Sequence, residues 1–335
     1  MWLVSTDRAE LHFFPDPSRV PGGYAILSHT WNEQEQTFQE TRALQEHCTV
    51  TLENPRELSS AKIRNACLIA EQDGYRWIWI DTCCIDKTSS TELSEAINSM
   101  FRWYACAEVC YAHLEDVPSG CARTLEQPGS AFRRARWHTR GWTLQELLAP
   151  ALVVFVSNEW ANLGTKQDLA PLLSSITGIR VSVLARRKTF FVASVAERMS
   201  WASRRHTRRV EDEAYCLLGL FGINMPTIYG EGRQAFQRLQ QEIARQSIDT
   251  SLFAWGNTYT AKDEVRSPVK LKRMWADFHG LSKEGRFLFA PSPRSFDGRT
   301  VYFTPSLSDP IQPYLPWRWR SHVSVTCYLH HRYSH

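Results

Sequence analysis

Residues 75–86, YRWIWIDTCCID, constrain the fold more than any other stretch of the chain. On a strand, Trp77, Trp79 and Asp81 point to one side and Ile78, Ile80 and Thr82 to the other. Both faces are apolar, as in a central parallel strand covered on two sides. The flanking sequence supplies the cover. AKIRNACLIAEQDG places Ile63, Cys67 and Ala70 on one helical face and stops at Gly74. SSTELSEAINSMFRWYA opens with Ser89 and Glu92 at capping-box spacing, and Leu93, Ile97, Met100, Phe101 and Tyr104 form its apolar stripe. YAILSHT (24–30), EVCYAHLEDV and ALVVFVS read as further strands, and AFRRARWHTRGWTLQELLAP contains a helix stopped by Pro150. This alternation over 20–160 predicts an α/β domain: a mostly parallel sheet with flanking helices, of the flavodoxin-like kind. In such sheets ligands sit beyond the carboxyl ends of the strands, where Ser28, His29 and Asp81 fall.

The pattern then changes. DLAPLLSSITGI and SVAERMSWASRR read as helices. RVEDEAYCLLGLFGI sets Val210, Ala214 and Leu217 on one face, and YGEGRQAFQRLQQEIARQ does the same with Phe236, Leu239 and Ile243. Residues 161–255 are therefore expected to form a mainly helical extension. Over 256–335, RFLFAPSPRSF, TVYFTPS and SVTCYLHH suggest a short turn- and strand-rich tail.

Several function classes find no support. The net charge is +4, and the basic run SRRHTRRVEDE is followed at once by acids. Solvated basic loops explain it, so no nucleic-acid partner is expected. No phosphate-loop, nucleophile-elbow or H-E-x-x-H pattern occurs. On a strand, Asp81, Cys83, Cys84 and Asp86 would divide between two faces, so no metal site is expected there. The nine cysteines form no C-x-x-C pair and read as free thiols of a reducing compartment. The N-terminus lacks the apolar run of a signal peptide, and no run of 18 apolar residues suggests a membrane span. The expectation is a cytoplasmic protein.

YAILSHTW, KIRNACLIAEQDGYRWIWIDTCCIDK, SSTELSEAINSMFRWY, RARWHTRGWTLQELLAP and RRVEDEAYCLLGLFGINMPTIYGEGRQAFQRLQQEI stand in the order seen in fungal heterokaryon-incompatibility (HET) domain proteins. The resemblance covers about residues 20–255 and fades after about residue 305, which suggests a truncated or altered end. It implies a part in non-self recognition, in which the domain triggers programmed cell death, a form of innate immunity. Some relatives join the domain to a nucleotide-binding switch and a repeat sensor. This chain would need a separate sensor, or would act alone. HET domains are in turn similar to TIR domains, many of which carry W-C-x-x-E-L. Here Trp142, Glu146 and Leu147 stand at the same offsets, and Thr143 replaces the cysteine.

In TIR enzymes that glutamate is needed to cleave NAD, so the resemblance nominates Glu146 as catalytic and NAD as substrate, with no permanently bound cofactor. A carboxylate suits the oxocarbenium-like state of nicotinamide–ribose cleavage. Ser28, His29 and Asp81 are the companion ligand candidates, Trp31 and Trp142 the stacking surfaces, and Arg140 the phosphate partner. Two alternatives stay open. Thr143 and Glu146 also have capping-box spacing, which would turn the carboxylate to its own backbone. A helix starting near Thr139 or Arg140 would free it. The chain would then be either an NAD-cleaving enzyme or an adaptor working through self-association and recruitment.

Overall fold

The computed structural model describes residues 1–120, 122–255 and 289–297. Seven strands form one sheet: β1 (Trp2–Ser5), β2 (Leu11–Phe13), β3 (Ala25–His29), β4 (Trp77–Trp79), β5 (Val109–His113), β6 (Val153–Val156) and β7 (Asn162–Thr165). Their order is β2-β1-β4-β3-β5-β6-β7. The central strands β4, β3, β5 and β6 pair in parallel, and β1, β2 and β7 add antiparallel edges. The predicted α/β class therefore holds. Two short edge elements, β1 and β2, lie before residue 20, where the predicted domain began.

The parallel centre has a reversal of strand order at β3. β3 connects to β4 on one side, through α1 (Phe38–Thr51) and α2 (Ala61–Gln72); β4 then crosses to β5 on the other, through α3 (Ser90–Cys106). Right-handed crossovers in opposite directions put α2 and α3 on opposite faces of the sheet. The predicted faces are buried at Ile63, Cys67 and Ala70 of α2 and at Ile97, Met100 and Tyr104 of α3, while Leu93 and Phe101 are half-buried against the core. Trp79 packs edge-on to Trp103 and Tyr104, with ring centroids 5.6 and 5.8 Å apart. A buried tryptophan of this kind contributes about 3–5 kcal/mol against alanine. The Ser89 side chain caps α3 by accepting from the Glu92 backbone amide. The Glu92 carboxylate, however, accepts from the Asp86 amide at 3.1 Å. It stitches the preceding turn and does not close a capping box.

Three expectations need correction. Strand β4 stops at Trp79, and Asp81–Cys84 form a turn. The Cys84 amide closes that turn on the Ile80 carbonyl at 2.8 Å. Cys83 and Cys84 are consequently both buried, their sulfurs 4.0 Å apart, and are not split between faces. AFRRARWHTRGWTLQELLAP forms three pieces: helix Ala131–Arg134, a 3-10 turn Arg136–Thr139, and α4 (Thr143–Leu148). Val210 is exposed, while Ala214 and Leu217 are buried. RVEDEAYCLLGLFGI breaks into helices Asp212–Tyr215 and Leu218–Phe221, so one face does not run through it.

Beyond β7 the chain is mainly helical, and α5 (Gln234–Gln246) buries Phe236, Leu239 and Ile243 as its spacing predicts. Close approach joins this extension to the sheet domain. A Cβ at Gly219 would fall 2.0 Å from Phe101 Cβ of α3, and one at Gly141 would fall 2.5 Å from Thr207 Cγ2. Of the tail, Pro293–Phe296 form a 3-10 turn where a strand is predicted. The strands expected at TVYFTPS and SVTCYLHH lie outside the described residues. The described cysteines, Cys48, Cys67, Cys83, Cys84, Cys106, Cys110 and Cys216, are free thiols. No helix among the described residues is long and apolar enough to cross a membrane.

Candidate active site

The α4 helix carries Glu146, and its start decides where the carboxylate goes. α4 begins at Thr143, not at Thr139 or Arg140, and no side chain caps it. The Thr143 hydroxyl is engaged elsewhere, donating to the Trp137 carbonyl at 2.5 Å and the Arg140 carbonyl at 3.0 Å. Glu146 does not bond the amides of its own helix. Its carboxylate accepts from Ser28 Oγ, and Ser28 Oγ accepts in turn from Trp137 Nε1 at 2.7 Å. A buried indole donor thus orients a buried hydroxyl, and the hydroxyl orients the carboxylate. β3 supplies Ser28, and the 3-10 turn supplies Trp137.

Glu146 is only 6% exposed. Burial pushes its carboxyl up to about 8; Asp81 pushes the same way, and Ser28, Arg205 and Tyr104 pull against it. Beside it opens a cavity of about 270 Å³. Of the residues singled out by sequence, His29, Trp31, Asp81, Arg140, Trp142 and Glu146 all line this cavity. Ser28 is fully buried and reaches it only through Glu146. The cavity lies at the carboxyl ends of β3 and β4, where the strand order turns, as expected of an open α/β sheet. Leu93, Ile97 and Met100 of α3 form its apolar wall.

Its polar atoms are incompletely satisfied. Neither ring nitrogen of His29, nor Asp81 Oδ1, has a hydrogen-bond partner among the described residues. His29 Nε2 lies 3.7 Å from Asp81 Oδ1 and 3.8 Å from Glu35 Oε2, too far for hydrogen bonds. Burial, and then the charge of Lys62, pull His29 down to about 3, so the ring is neutral. Burial raises Asp81 as well, although Trp31 Nε1 donates to its other oxygen at 2.7 Å. Unsatisfied buried polar atoms facing a cavity mark a place for a ligand or ordered water.

Part of the lining was not legible in the sequence: Ile85, Lys87, Arg208, Arg209, Asp212 and Tyr229. Lys87 follows the turn after β4, and Arg208, Arg209, Asp212 and Tyr229 come from the extension. A backbone ladder brings them there: the Gly141 amide donates to the His206 carbonyl at 2.9 Å, and the His206 amide to Thr139 at 2.7 Å. Buried Arg205 adds two bonds, each 2.9 Å, to the Arg140 carbonyl and Thr143 Oγ1. The cluster SRRHTRRVEDE, read from sequence as a solvated loop, therefore splits: Arg205 is buried and Arg208 and Arg209 are exposed at the cavity. Among the described residues, no group of three or more His, Cys, Asp or Glu side chains is arranged to hold a metal ion.

Residues 24–128 match the heterokaryon incompatibility protein (HET) family, and residues 234–313 match a domain of unknown function (DUF8212). Over 249 residues, 72% of the chain, the sequence is 44% identical to the vegetative incompatibility protein HET-E-1 of Podospora anserina. The aligned part is 18% of that protein, so the chain spans under a fifth of the length of the relative it matches. No solved structure matches the chain.

Proposed function

The chain is a HET-domain protein of the fungal type, and on that premise we propose that it acts in vegetative incompatibility by cleaving NAD at Glu146. The observation that carries the chemical part is the position of Glu146. It is a buried carboxyl at the floor of a cavity, held by a hydroxyl and turned away from its own helix amides.

The reaction that suits this arrangement is hydrolysis of the nicotinamide–ribose bond. The bond from the pyridinium nitrogen to ribose C1′ breaks, and its electron pair stays on nitrogen, cancelling the positive charge. The leaving group needs no acid. Positive charge develops on the ribose, and the ionised Glu146 carboxylate stabilises it. Water then adds to C1′, and its proton passes to the carboxylate and on to solvent. The products are nicotinamide, ADP-ribose and a proton. Trp142 offers a flat apolar face for a ring, Trp31 lines the same cavity with Lys87 over its ring, and neutral His29 and Asp81 offer unsatisfied polar atoms for hydroxyls. Arg140 stands by for a phosphate. The TIR-like offsets of Trp142, Glu146 and Leu147 support the same choice. Programmed cell death would follow from loss of the cofactor, with activation through self-association or a separate sensor.

Expression in fungal cells tests the whole reading. The wild-type chain is expected to lower cellular NAD before viability falls, and Glu146→Gln to leave both intact. Death at undiminished NAD would reject the enzyme and leave the adaptor, which kills by assembly alone.

A further inference from the structure

We infer that Lys87, Arg140, Arg208 and Arg209 form a phosphate subsite at this cavity, selecting a nucleotide that carries a pyrophosphate, and that the helical extension supplies half of it. The inference rests on reading the cavity as a nucleotide site.

Four cations line one cavity of about 270 Å³. Like charges this close repel, and surface cations ordinarily disperse or pair with carboxylates. Among the described residues none of the four makes an ion pair. Aromatic faces hold three of them instead. Lys87 Nζ sits 4.1 Å from the centroid of the Trp31 ring, and the Arg208 guanidinium lies 5.7 Å from the same ring. The Arg209 guanidinium lies 4.3 Å from the ring of Tyr229. An aromatic face positions a cation without neutralising it. Among the described residues their side-chain hydrogen bonds are long ones to neutral carbonyls: Lys87 to Thr82 at 3.3 Å and Arg208 to Trp31 at 3.4 Å. No direct ion pair cancels these charges, although Asp81 acts on Lys87, and Asp212 on Arg209 and Arg140, across the cavity. Arg140 feels the crowding, since burial first and Arg208 next lower its hold on its proton.

The arrangement also has a direction. Glu146 is buried at the floor, while Arg208 and Arg209 are exposed at the rim. A cavity of about 270 Å³ falls just below the range, roughly 300–1,000 Å³, that encloses a whole drug-sized ligand. It suits one end of a longer molecule, with the reacting bond at the carboxylate and the phosphates outside among the cations. Adjacent arginines offer paired N–H forks for neighbouring phosphate oxygens, which a phosphate-free nucleoside would leave unused.

Titration calorimetry on the full chain tests this, with ADP-ribose as probe and adenosine as the phosphate-free control. The wild type is expected to bind ADP-ribose at least about tenfold tighter than adenosine, as lost charge-assisted hydrogen bonds imply. The double variant Arg208→Gln, Arg209→Gln is expected to lose about tenfold or more on ADP-ribose and nothing on adenosine. Arg208→Lys, Arg209→Lys is expected to keep most of the affinity, which separates lost charge from lost fold. No binding of ADP-ribose by the wild type would overturn the inference. So would undiminished binding by the glutamine pair, or an equal loss in the lysine pair with unchanged melting. ADP-ribose binding without NAD cleavage would reject the proposed reaction and keep the subsite. NAD cleavage with unchanged KM in the glutamine pair would do the reverse.

Discussion

A carboxyl buried beside a second carboxylate holds its proton more tightly than one in water, and Glu146 is in that position, at about 8. The sign of the consequence is fixed. Its folded value lies above the ordinary 4.5, so its contribution to stability is full below that value and is lost as pH rises through about 8. Glu146→Gln keeps the shape and cannot ionise. It is expected to melt higher than wild type at alkaline pH and to show a smaller difference in mild acid, as followed by thermal denaturation across pH. A variant that melts lower throughout would make Glu146 structural. Ser28 is the positioning residue behind it. Its hydroxyl helps the ionised form, so Ser28→Ala is expected to move the pH midpoint of kcat/KM upward. It also strips Trp137 Nε1 of its acceptor, at a cost of about 1–3 kcal/mol. A fall in melting temperature with an unmoved midpoint would reduce Ser28 to packing.

Among the elements, the junction of α4 with the extension depends on Gly141. Its Cβ position is occupied by Thr207 Cγ2 at 2.5 Å and approached by Cys216 Sγ at 3.2 Å. Gly141→Val is expected to push the 206–209 loop outward, raise the KM for NAD and lower stability by about 1–3 kcal/mol. Unchanged kinetics would show that the loop takes no part in the site. The elements differ in how much of them the sequence reveals. α3 and α5 are long and periodic, so Ile97, Met100, Phe236, Leu239 and Ile243 announce themselves. α1 buries only Phe38, Thr41 and Cys48, and so leaves little apolar signal. β1 and β2 have four and three residues, too few for a period, and their place is settled by pairing, β1 with β4 and β2 with β1. The Asp81 turn was hidden because its buried cysteines prolong an apolar run that reads as strand.

Across the whole molecule, the site is shared between two parts of the chain that are far apart in sequence. The sheet domain was legible because alternation of strand and helix leaves few topologies, and the carboxyl ends of its strands indicate where a ligand goes. That reading reaches Ser28, His29 and Asp81, while Glu146, Trp142 and Arg140 stand on the resemblance to the TIR motif; all of these but Ser28 line the cavity, as Trp31 does. Arg208, Arg209, Asp212 and Tyr229 were not legible, since only tertiary docking of the extension turns a basic loop into a cavity wall. The matched HET segment, residues 24–128, ends before Glu146 and before all four of these residues. The extension therefore lines the candidate site together with the sheet domain. The most direct test is chromatographic assay of NAD incubated with the purified full chain, from mild acid to pH values above 8. The prediction is release of nicotinamide and ADP-ribose in equal amounts, with kcat/KM rising to a plateau above about 8 and lost in Glu146→Gln. Cleavage by the variant at the wild-type rate, or intact NAD with concentrated, self-associated wild type, would contradict it.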